Sequence, residues 1–192
     1  AFGTLATGAL TSSTSLNADS GSFNLVGNPY HAQVDMDQVL NASTNLRPRV
    51  FYVWDPTIST RGAYVTVSKV AGNWSNNNSS SSADQYLQPM QSVFVETSTL
   101  SSTPALNFTE SQKVVSNPQT TTFSVDETEY LQLNLYAEDE ISSDLFSVDG
   151  LKLFFGDNFE NEIDDDFHKM GNVDENLARV ESNSFLSVEL RQ

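Results

Sequence analysis

The chain has 192 residues, of which 38% are hydrophobic and 18% charged, and 9 Lys and Arg against 25 Asp and Glu give a formal net charge of −16. This charge disfavours binding to nucleic acid or to an anionic membrane surface, both of which require a basic footprint. The sequence has no cysteine, which excludes disulfides, thiolate nucleophiles and cysteine-ligated metals, and no apolar run reaches the length of a membrane-spanning helix.

Strand patterns dominate the chain. Several short runs are apolar throughout or alternate apolar with polar residues, and a period of two places one face of a strand against a core. Turn residues such as Asp55-Pro56 end these runs. The predicted strands are Phe23–Val26, Phe51–Trp54, Ala63–Val67, Ser92–Val95, Ala105–Phe108, Thr121–Val125, Leu131–Leu135, Leu151–Phe155, Ala178–Val180 and Leu186–Leu190.

Helical signals are few. Asp35–Leu40 predicts a turn or two of helix with Asp35 as the N-cap, and Asp165–Met170 predicts another short helical turn. The stretch Asn73–Ser82 consists almost entirely of Asn and Ser. Such low complexity predicts a mobile loop between two strands.

These patterns predict an all-β fold, an antiparallel β-sandwich of the jelly-roll kind with short helical turns only. Residues 1–105 carry 6 acidic and 4 basic residues, whereas residues 106–192 carry 19 and 5. No Pro- or Gly-rich linker separates these parts, so we expect one continuous sandwich over residues 1–192, with any sub-boundary near residues 105–120. The apolar runs predict a core that includes Phe51, Val53, Val93, Val95, Leu131, Leu133, Leu153 and Phe155.

Catalytic motifs are missing from the sequence. The two histidines, His31 and His168, stand in neither a His-x-His nor a His-Glu-x-x-His arrangement. No serine lies in a Gly-x-Ser-x-Gly elbow, and the glycines form no phosphate-binding loop. The sequence therefore predicts that the chain is not an enzyme.

An acidic segment is the strongest local signal. Calcium takes six to eight oxygen ligands, and a loop dense in Asp, Asn and Glu supplies them, although the spacing here does not match an EF-hand. Two interpretations stay open, a solvated acidic loop and a calcium site. The calcium ligands would be Asp157, Asn158, Glu160, Asp164 and Asp166.

Exposed aromatic residues are the candidates for ligand binding. Trp54 lies in an apolar run and is expected in the core, whereas Trp74 lies in the polar Asn- and Ser-rich stretch. Trp74 and Tyr86 are therefore the predicted ligand-binding residues, because an exposed aromatic ring can stack on a sugar.

Three segments in order carry a family resemblance. They are Phe-Asn-Leu-Val-Gly-Asn-Pro-Tyr from Phe23, Tyr-Val-Trp-Asp-Pro-Thr from Tyr52, and Leu-Gln-Pro-Met-Gln-Ser-Val-Phe-Val from Leu87. With a closing part around Phe185–Val188, the set resembles a β-rich region of large Bacteroidetes surface proteins. That region lies upstream of the C-terminal sorting domain of the type IX secretion system. The resemblance covers residues 23–190, and the sorting domain itself is not included.

The resemblance implies an exported, non-catalytic structural or adhesive module, located outside the cell or on its surface. Its expected partners are other surface proteins or extracellular polysaccharide, with the export machinery engaged through the full-length protein. Nucleic acid and membrane insertion are not expected. The alternatives are a carbohydrate-binding module of a secreted polysaccharide-degrading enzyme and a calcium-dependent protein-interaction domain.

Overall fold

The structure is a computed structural model and describes residues 6–12, 16–58, 61–99, 102–114, 129–138, 146–160 and 165–192. Of these residues, 45% lie in strands and 6% in helices, which confirms the predicted all-β, sandwich-like fold. Neither described helix has the length and apolar character that a membrane crossing requires.

Fourteen strands, one α-helix and one 3-10 helix are described. They are β1 (Leu10–Ser12), β2 (Phe23–Gly27), β3 (Val34–Asp35), α1 (Met36–Asn41), β4 (Val50–Asp55), β5 (Ala63–Val70), β6 (Asn73–Asn76), β7 (Tyr86–Leu87), β8 (Ser92–Glu96), β9 (Leu106–Phe108), the 3-10 helix (Glu110–Gln112), β10 (Glu129–Leu135), β11 (Asp149–Phe155), β12 (Phe167–His168), β13 (Arg179–Glu181) and β14 (Ser184–Arg191).

The chain divides into two compact, interleaved units. Unit 1 comprises Ala1–Phe51 with Gln85–Phe123, and unit 2 comprises Tyr52–Asp84 with Ser124–Gln192. The chain passes from the first to the second within β4. The single continuous sandwich and the boundary near residues 105–120 stay predictions.

Unit 1 is built from antiparallel pairs. β2 pairs with β8, β1 with β9, and β3 with β7. Helix α1 begins after Asp35, whose side chain accepts a hydrogen bond from the Asp37 amide at 3.0 Å, so the predicted helix and its N-cap are confirmed. The core of this unit contains Tyr30, Met36, Val39, Leu87, Val95 and Leu106.

Unit 2 contains the hairpin of β5 and β6 and a sheet in the order β10-β11-β14-β12, with β13 pairing β14. The hairpin turns at Ala71 and Gly72, which have φ angles of 49° and 88°. Positive φ at both central residues is characteristic of a type I′ turn, which is a favoured two-residue connection in β-hairpins. β11 and β14 run parallel, a departure from the predicted antiparallel pairing. The connection between them has the length that a parallel pair requires.

Two sequence predictions about local structure are wrong. The stretch Asp165–Met170 is not a helical turn, because Phe167–His168 forms β12 and pairs with β14. The stretch Asn73–Ser82 is not a loop throughout, because Asn73–Asn76 forms β6. In both cases pairing to a neighbouring strand overrides weak local preference. The predicted strand Thr121–Val125 lies outside the described residues.

Five of the eight predicted core residues are buried or mostly buried. The first four predicted residues, on β4 and β8, are buried as expected: Phe51, Val53, Val93 and Val95. Leu153 is mostly buried, as predicted, whereas Leu131 and Leu133 on β10 are exposed by 47% and 41% and Phe155 is exposed by 39%. These last three predictions are wrong, because alternation identifies the two faces of a strand but not the one that meets the core.

Candidate functional site

Unit 2 is organised around two asparagines of the Asn- and Ser-rich stretch. Asn77 and Asn78 are both fully buried. Asn77 accepts a hydrogen bond from the Thr66 amide at 2.8 Å and donates to the Gly150 carbonyl at 2.6 Å. Asn78 donates to the Ser147 carbonyl at 3.1 Å. We call these contacts the asparagine clamp, because they join the end of β6 to the start of β11.

The clamp requires a very close approach of two backbone segments. A Cβ atom added at Gly150 would lie 1.9 Å from the carbonyl oxygen of Asn77, far inside van der Waals contact. Only glycine leaves the room that this approach needs. Two asparagines of the stretch that predicted a mobile loop are therefore buried and hydrogen-bonded in the structure.

Next to the clamp lies a cleft of about 370 Å³, which we call the Trp74 cleft. This volume is at the small end of the roughly 300–1,000 Å³ that is typical of ligand pockets. Among its described lining residues, Lys152 is the only cation and Asp84 the only carboxylate. The lining comprises Trp74, Ser75, Asn76, Ser79, Ser81, Ala83, Asp84, Tyr130, Gln132 and Lys152.

One wall of the Trp74 cleft is formed by β10 and β11. Tyr130 is opposite Phe154, and Gln132 is opposite Lys152, in the register of these strands. The Lys152 ammonium lies 4.3 Å from the centroid of the Tyr130 ring and 4.9 Å from that of Phe154. These cation–π contacts fix the tyrosine ring against the wall. The Lys152 Nζ also donates to Ser75 Oγ at 3.2 Å.

The position of Gln132 explains why the sequence assigned the wrong face of β10 to the core. Its Nε2 atom donates to the Asn77 carbonyl at 2.6 Å and lies 3.3 Å from Asn134 Oδ1. The polar face of β10 therefore faces the asparagine clamp, because the buried Asn77 carbonyl needs a hydrogen-bond donor and Gln132 supplies it. Leu131 and Leu133, on the opposite face, remain exposed.

The opposite wall of the cleft is formed by β6 and the segment after it. Trp74 is half-buried and lies opposite Lys69 in the β5–β6 hairpin. Asn76 Nδ2 donates to the carbonyls of Ser81 and Ala83 at 3.1 and 3.0 Å. These bonds hold the segment after β6 in one conformation and so give the cleft a preformed shape.

Of the two predicted ligand-binding residues, Trp74 lies in unit 2 and Tyr86 in unit 1, where Tyr86 on β7 pairs with Asp35.

Trp54 is not in the core as expected but is 37% exposed. Its ring contacts that of Tyr64 edge-on at 4.8 Å, and it covers Gly62, whose added Cβ would meet it at 2.7 Å. The Trp54 ring therefore packs on the Gly62 backbone, where no side chain stands in its way.

Sequence reasoning missed Tyr130, Gln132 and Lys152. The available signal was the alternate face of β10, where Tyr130, Gln132 and Asn134 form a polar and aromatic row. The leucines between these residues predict the opposite face as the core face, and so assign this row to solvent.

The predicted calcium ligands have different surroundings. Asp157, Asn158 and Glu160 are exposed, Asp166 is buried, and Asp164 lies outside the described residues. Within the described ranges, no three His, Cys, Asp or Glu side chains form a group that could hold a metal ion. The calcium site stays a prediction.

Asp166 lies in a charged cluster at the end of β14. Its Oδ1 atom accepts a hydrogen bond from the Leu190 amide at 2.8 Å. Burial is the largest cause that raises the pKa of Asp166 to about 6, and Glu189 and Glu181 raise it further, while the Leu190 bond and Arg191 oppose the change. Arg191 pairs with both glutamates.

A second buried charge pair is structural. Lys169 Nζ lies 2.5 Å from Asp149 Oδ1, and both side chains are almost fully buried. The other carboxylate oxygen of Asp149 accepts from the Leu177 amide at 2.7 Å. Burial lowers the pKa of Lys169, and the nearby carboxylate opposes that change. This pair therefore ties the segment before β13 to β11.

Comparison with protein-family models found no match. Comparisons with curated proteins and with solved structures also found none. Arguments about function therefore depend on the chemistry of the site itself.

Proposed function

We propose that the chain is a non-catalytic structural or adhesive module of a large exported cell-surface protein, with its ligand-binding site in the Trp74 cleft. The observation that carries this proposal is the lining of the cleft. Two aromatic rings stand among amides and hydroxyls, and this composition suits recognition of a ligand.

The bonding of the cleft residues supports binding over proton transfer. Asn76, Gln132 and Lys152 each bond to neighbouring protein groups, so their positions are set before a ligand arrives. Preorganised groups lose little conformational entropy on binding. The resemblance of residues 23–190 to exported Bacteroidetes surface proteins supports the extracellular location and the type IX route.

The direct test is a solid-phase assay with the purified chain and two coated surfaces, extracellular polysaccharide and the envelope proteins of a Bacteroidetes cell. We expect saturable retention on at least one of them and no release of product. Retention on neither surface would contradict the adhesive function. Turnover that one substitution in this chain abolishes would contradict the non-catalytic assignment.

A second candidate is a carbohydrate-binding module attached to a secreted polysaccharide-degrading enzyme. The pair of aromatic residues at the cleft favours it, because sugar rings stack on aromatic faces. Both candidates share the same site and differ in the protein that carries the module. A catalytic domain elsewhere in the full-length protein would favour the enzyme-linked module.

The calcium-dependent interaction domain is tested separately. A cation that binds only the folded state raises stability by about 2.7 kcal/mol when its free concentration is about 100 times the dissociation constant. Melting temperatures are compared in millimolar calcium and in sodium chloride of matched ionic strength, because salt also screens repulsion. Equal melting temperatures and no heat of binding would contradict a calcium site.

A further inference from the structure

We propose that the Trp74 cleft binds a short segment of a neutral saccharide, with Trp74 and Tyr130 as the stacking faces. This inference rests on the proposed function, since it names the ligand class of the same site. It assigns Tyr130 and Lys152 roles that the sequence did not indicate.

The aromatic residues fit the apolar face of a sugar ring. The C–H groups of a pyranose carry partial positive charge, and the face of an aromatic ring is negative. Tyr130 is 54% exposed and Trp74 is half-buried, and both residues line the cleft. A sugar that packs on either ring keeps its hydroxyl groups directed to the polar side chains around it.

The polar groups fit the hydroxyl edge of the same ligand. Ser75 and Ser79 line the cleft and offer hydroxyl groups, and Gln132 offers its amide oxygen, since its Nε2 atom is bonded to the Asn77 carbonyl. A sugar hydroxyl both donates and accepts; serine hydroxyls can match either role and the amide oxygen can accept. Such neutral pairs discriminate between stereoisomers of a sugar by the position of each hydroxyl, because a misplaced hydroxyl leaves a polar group unpaired.

The charges of the cleft and of the chain favour a neutral ligand over an acidic one. The cleft has one cation, Lys152, and one carboxylate, Asp84, so the described lining has no net charge. Lys152 is only 9% exposed, and its ammonium is placed over two rings. Around the cleft, a chain of net charge −16 repels an acidic polysaccharide at distances up to the Debye length.

Lys152 acts in this site as a positioning residue. Its ammonium holds the ring of Tyr130 and bonds to Ser75, so it joins the two walls of the cleft. Replacing Lys152 by methionine keeps the length of the side chain and removes the cation–π contact. We expect this variant to weaken sugar binding while the salt dependence of binding remains flat, because the ammonium does not pair with ligand charge.

The size of the cleft sets the length of the ligand. A volume of about 370 Å³ accommodates a short segment, not an extended chain. Binding should therefore reach its full strength with short oligosaccharides and gain little when the chain is lengthened.

The experiment is calorimetric titration of the full chain with neutral cello-, xylo-, manno- and laminari-oligosaccharides, and with an acidic oligogalacturonate. We expect binding of at least one neutral class, unchanged by added salt, and no binding of the oligogalacturonate. Trp74→Ala and Tyr130→Ala should each weaken binding about tenfold. Matched controls are Leu131→Ala, on the opposite face of the same strand, and Trp54→Phe, an exposed tryptophan outside the cleft; both should bind as the original chain does.

Fluorescence of the Trp54→Phe variant gives a second measurement, because Trp74 is then the only tryptophan. The emission of Trp74 should change as the sugar saturates and should follow the calorimetric curve. It also reports whether Tyr130→Ala folds in this background, and Trp54 emission reports the same for Trp74→Ala made in the original chain, since unfolding moves the emission to longer wavelength.

Three results would overturn the inference. They are no binding of any neutral oligosaccharide, binding of the oligogalacturonate alone, and folded Trp74→Ala and Tyr130→Ala variants that bind sugar as tightly as the original chain. These outcomes are distinct from failure of the proposed function. A chain that binds envelope proteins in the solid-phase assay but no sugar would retain its adhesive role without the saccharide ligand.

Discussion

Replacing Asp166 by asparagine tests the electrostatics of unit 2. The Asp166 carboxyl is fully buried, and its Oδ2 atom has no hydrogen-bond partner among the described residues. Its pKa rises from 3.8 to about 6, chiefly because burial disfavours the charged form. Asparagine has the same shape and keeps an oxygen for the Leu190 amide, but it does not titrate.

The sign of the effect follows from proton linkage. The folded state holds the proton of Asp166 more tightly than the unfolded state, because its folded pKa is the higher one. This contribution to stability is fully present below pH 3.8 and is lost as the pH rises through about 6. The rise of this pKa from 3.8 to about 6 corresponds to about 3 kcal/mol over the whole window, and to about 1.4 kcal/mol between about pH 5 and pH 7.5.

Urea unfolding followed by tryptophan fluorescence measures this difference. Trp54 and Trp74 both lie in unit 2, as does Asp166, so the signal reports the unit that is altered. Measurements begin near pH 5 at constant ionic strength, because solubility falls towards the isoelectric point of about 4.1. Between about pH 5 and pH 7.5, the unfolding free energy of the original chain should fall by about 1.4 kcal/mol more than that of Asp166→Asn.

The pH-dependent part of the difference decides the test. The new amide nitrogen adds a cost of about 1–3 kcal/mol if it is left without an acceptor, but this cost does not change with pH. Asp165→Asn, on the exposed neighbouring carboxylate, is the matched control and should follow the original chain. If the curves of the original chain and Asp166→Asn run parallel from pH 5 to 7.5, the argument for a raised pKa is refuted.

Three further substitutions test the packing of unit 2. Gly150→Ala should lower stability by about 1–3 kcal/mol, because its Cβ would meet a backbone carbonyl at 1.9 Å. The control is Gly171→Ala, where the nearest atom is 3.7 Å from the added Cβ. Equal melting temperatures of the two variants would contradict the close approach. Ala71→Asn should raise the unfolding free energy by up to about 1 kcal/mol, since asparagine tolerates the φ of 49° better than alanine does. A lower melting temperature of this variant would count against the type I′ turn. Lys169→Met should lower the unfolding free energy by about 3–5 kcal/mol, because it leaves the Asp149 carboxylate buried without its cation. Adding Asp149→Asn should recover part of that loss. No recovery in the double variant would show that the unpaired charge is not the cause.

Local patterns in the sequence predicted the strands and the helix correctly where neighbouring residues decide the conformation. The alternation in Ala63–Val67 and in Leu186–Leu190 lies within β5 and β14. Asp35 caps α1 as expected, because the N-cap bond joins groups only two residues apart. Such features depend on φ, ψ and side-chain chemistry over a few residues, and a sequence records these directly.

The faces of strands and the role of the asparagines depended on distant partners. Leu131 and Gln132 are neighbours, yet the polar residue faces the clamp, because the Asn77 carbonyl needs its donor. Asn77 and Asn78 bond to residues 73 and 69 positions away. A polar side chain is stable in a core only when such partners reach it, so composition alone predicted a loop.

The Trp74 cleft divides in the same way between sequence and structure. The sequence by itself showed that acidic residues far outnumber basic ones, and it predicted Trp74, in a polar stretch, as a ligand-binding residue. Only the tertiary structure brought Tyr130, Gln132 and Lys152 to the same cleft. The physical reason is that a binding site requires groups from several strands at distances of a few ångströms, and those distances are set by how β6, β10 and β11 pack and not by residue spacing along the chain.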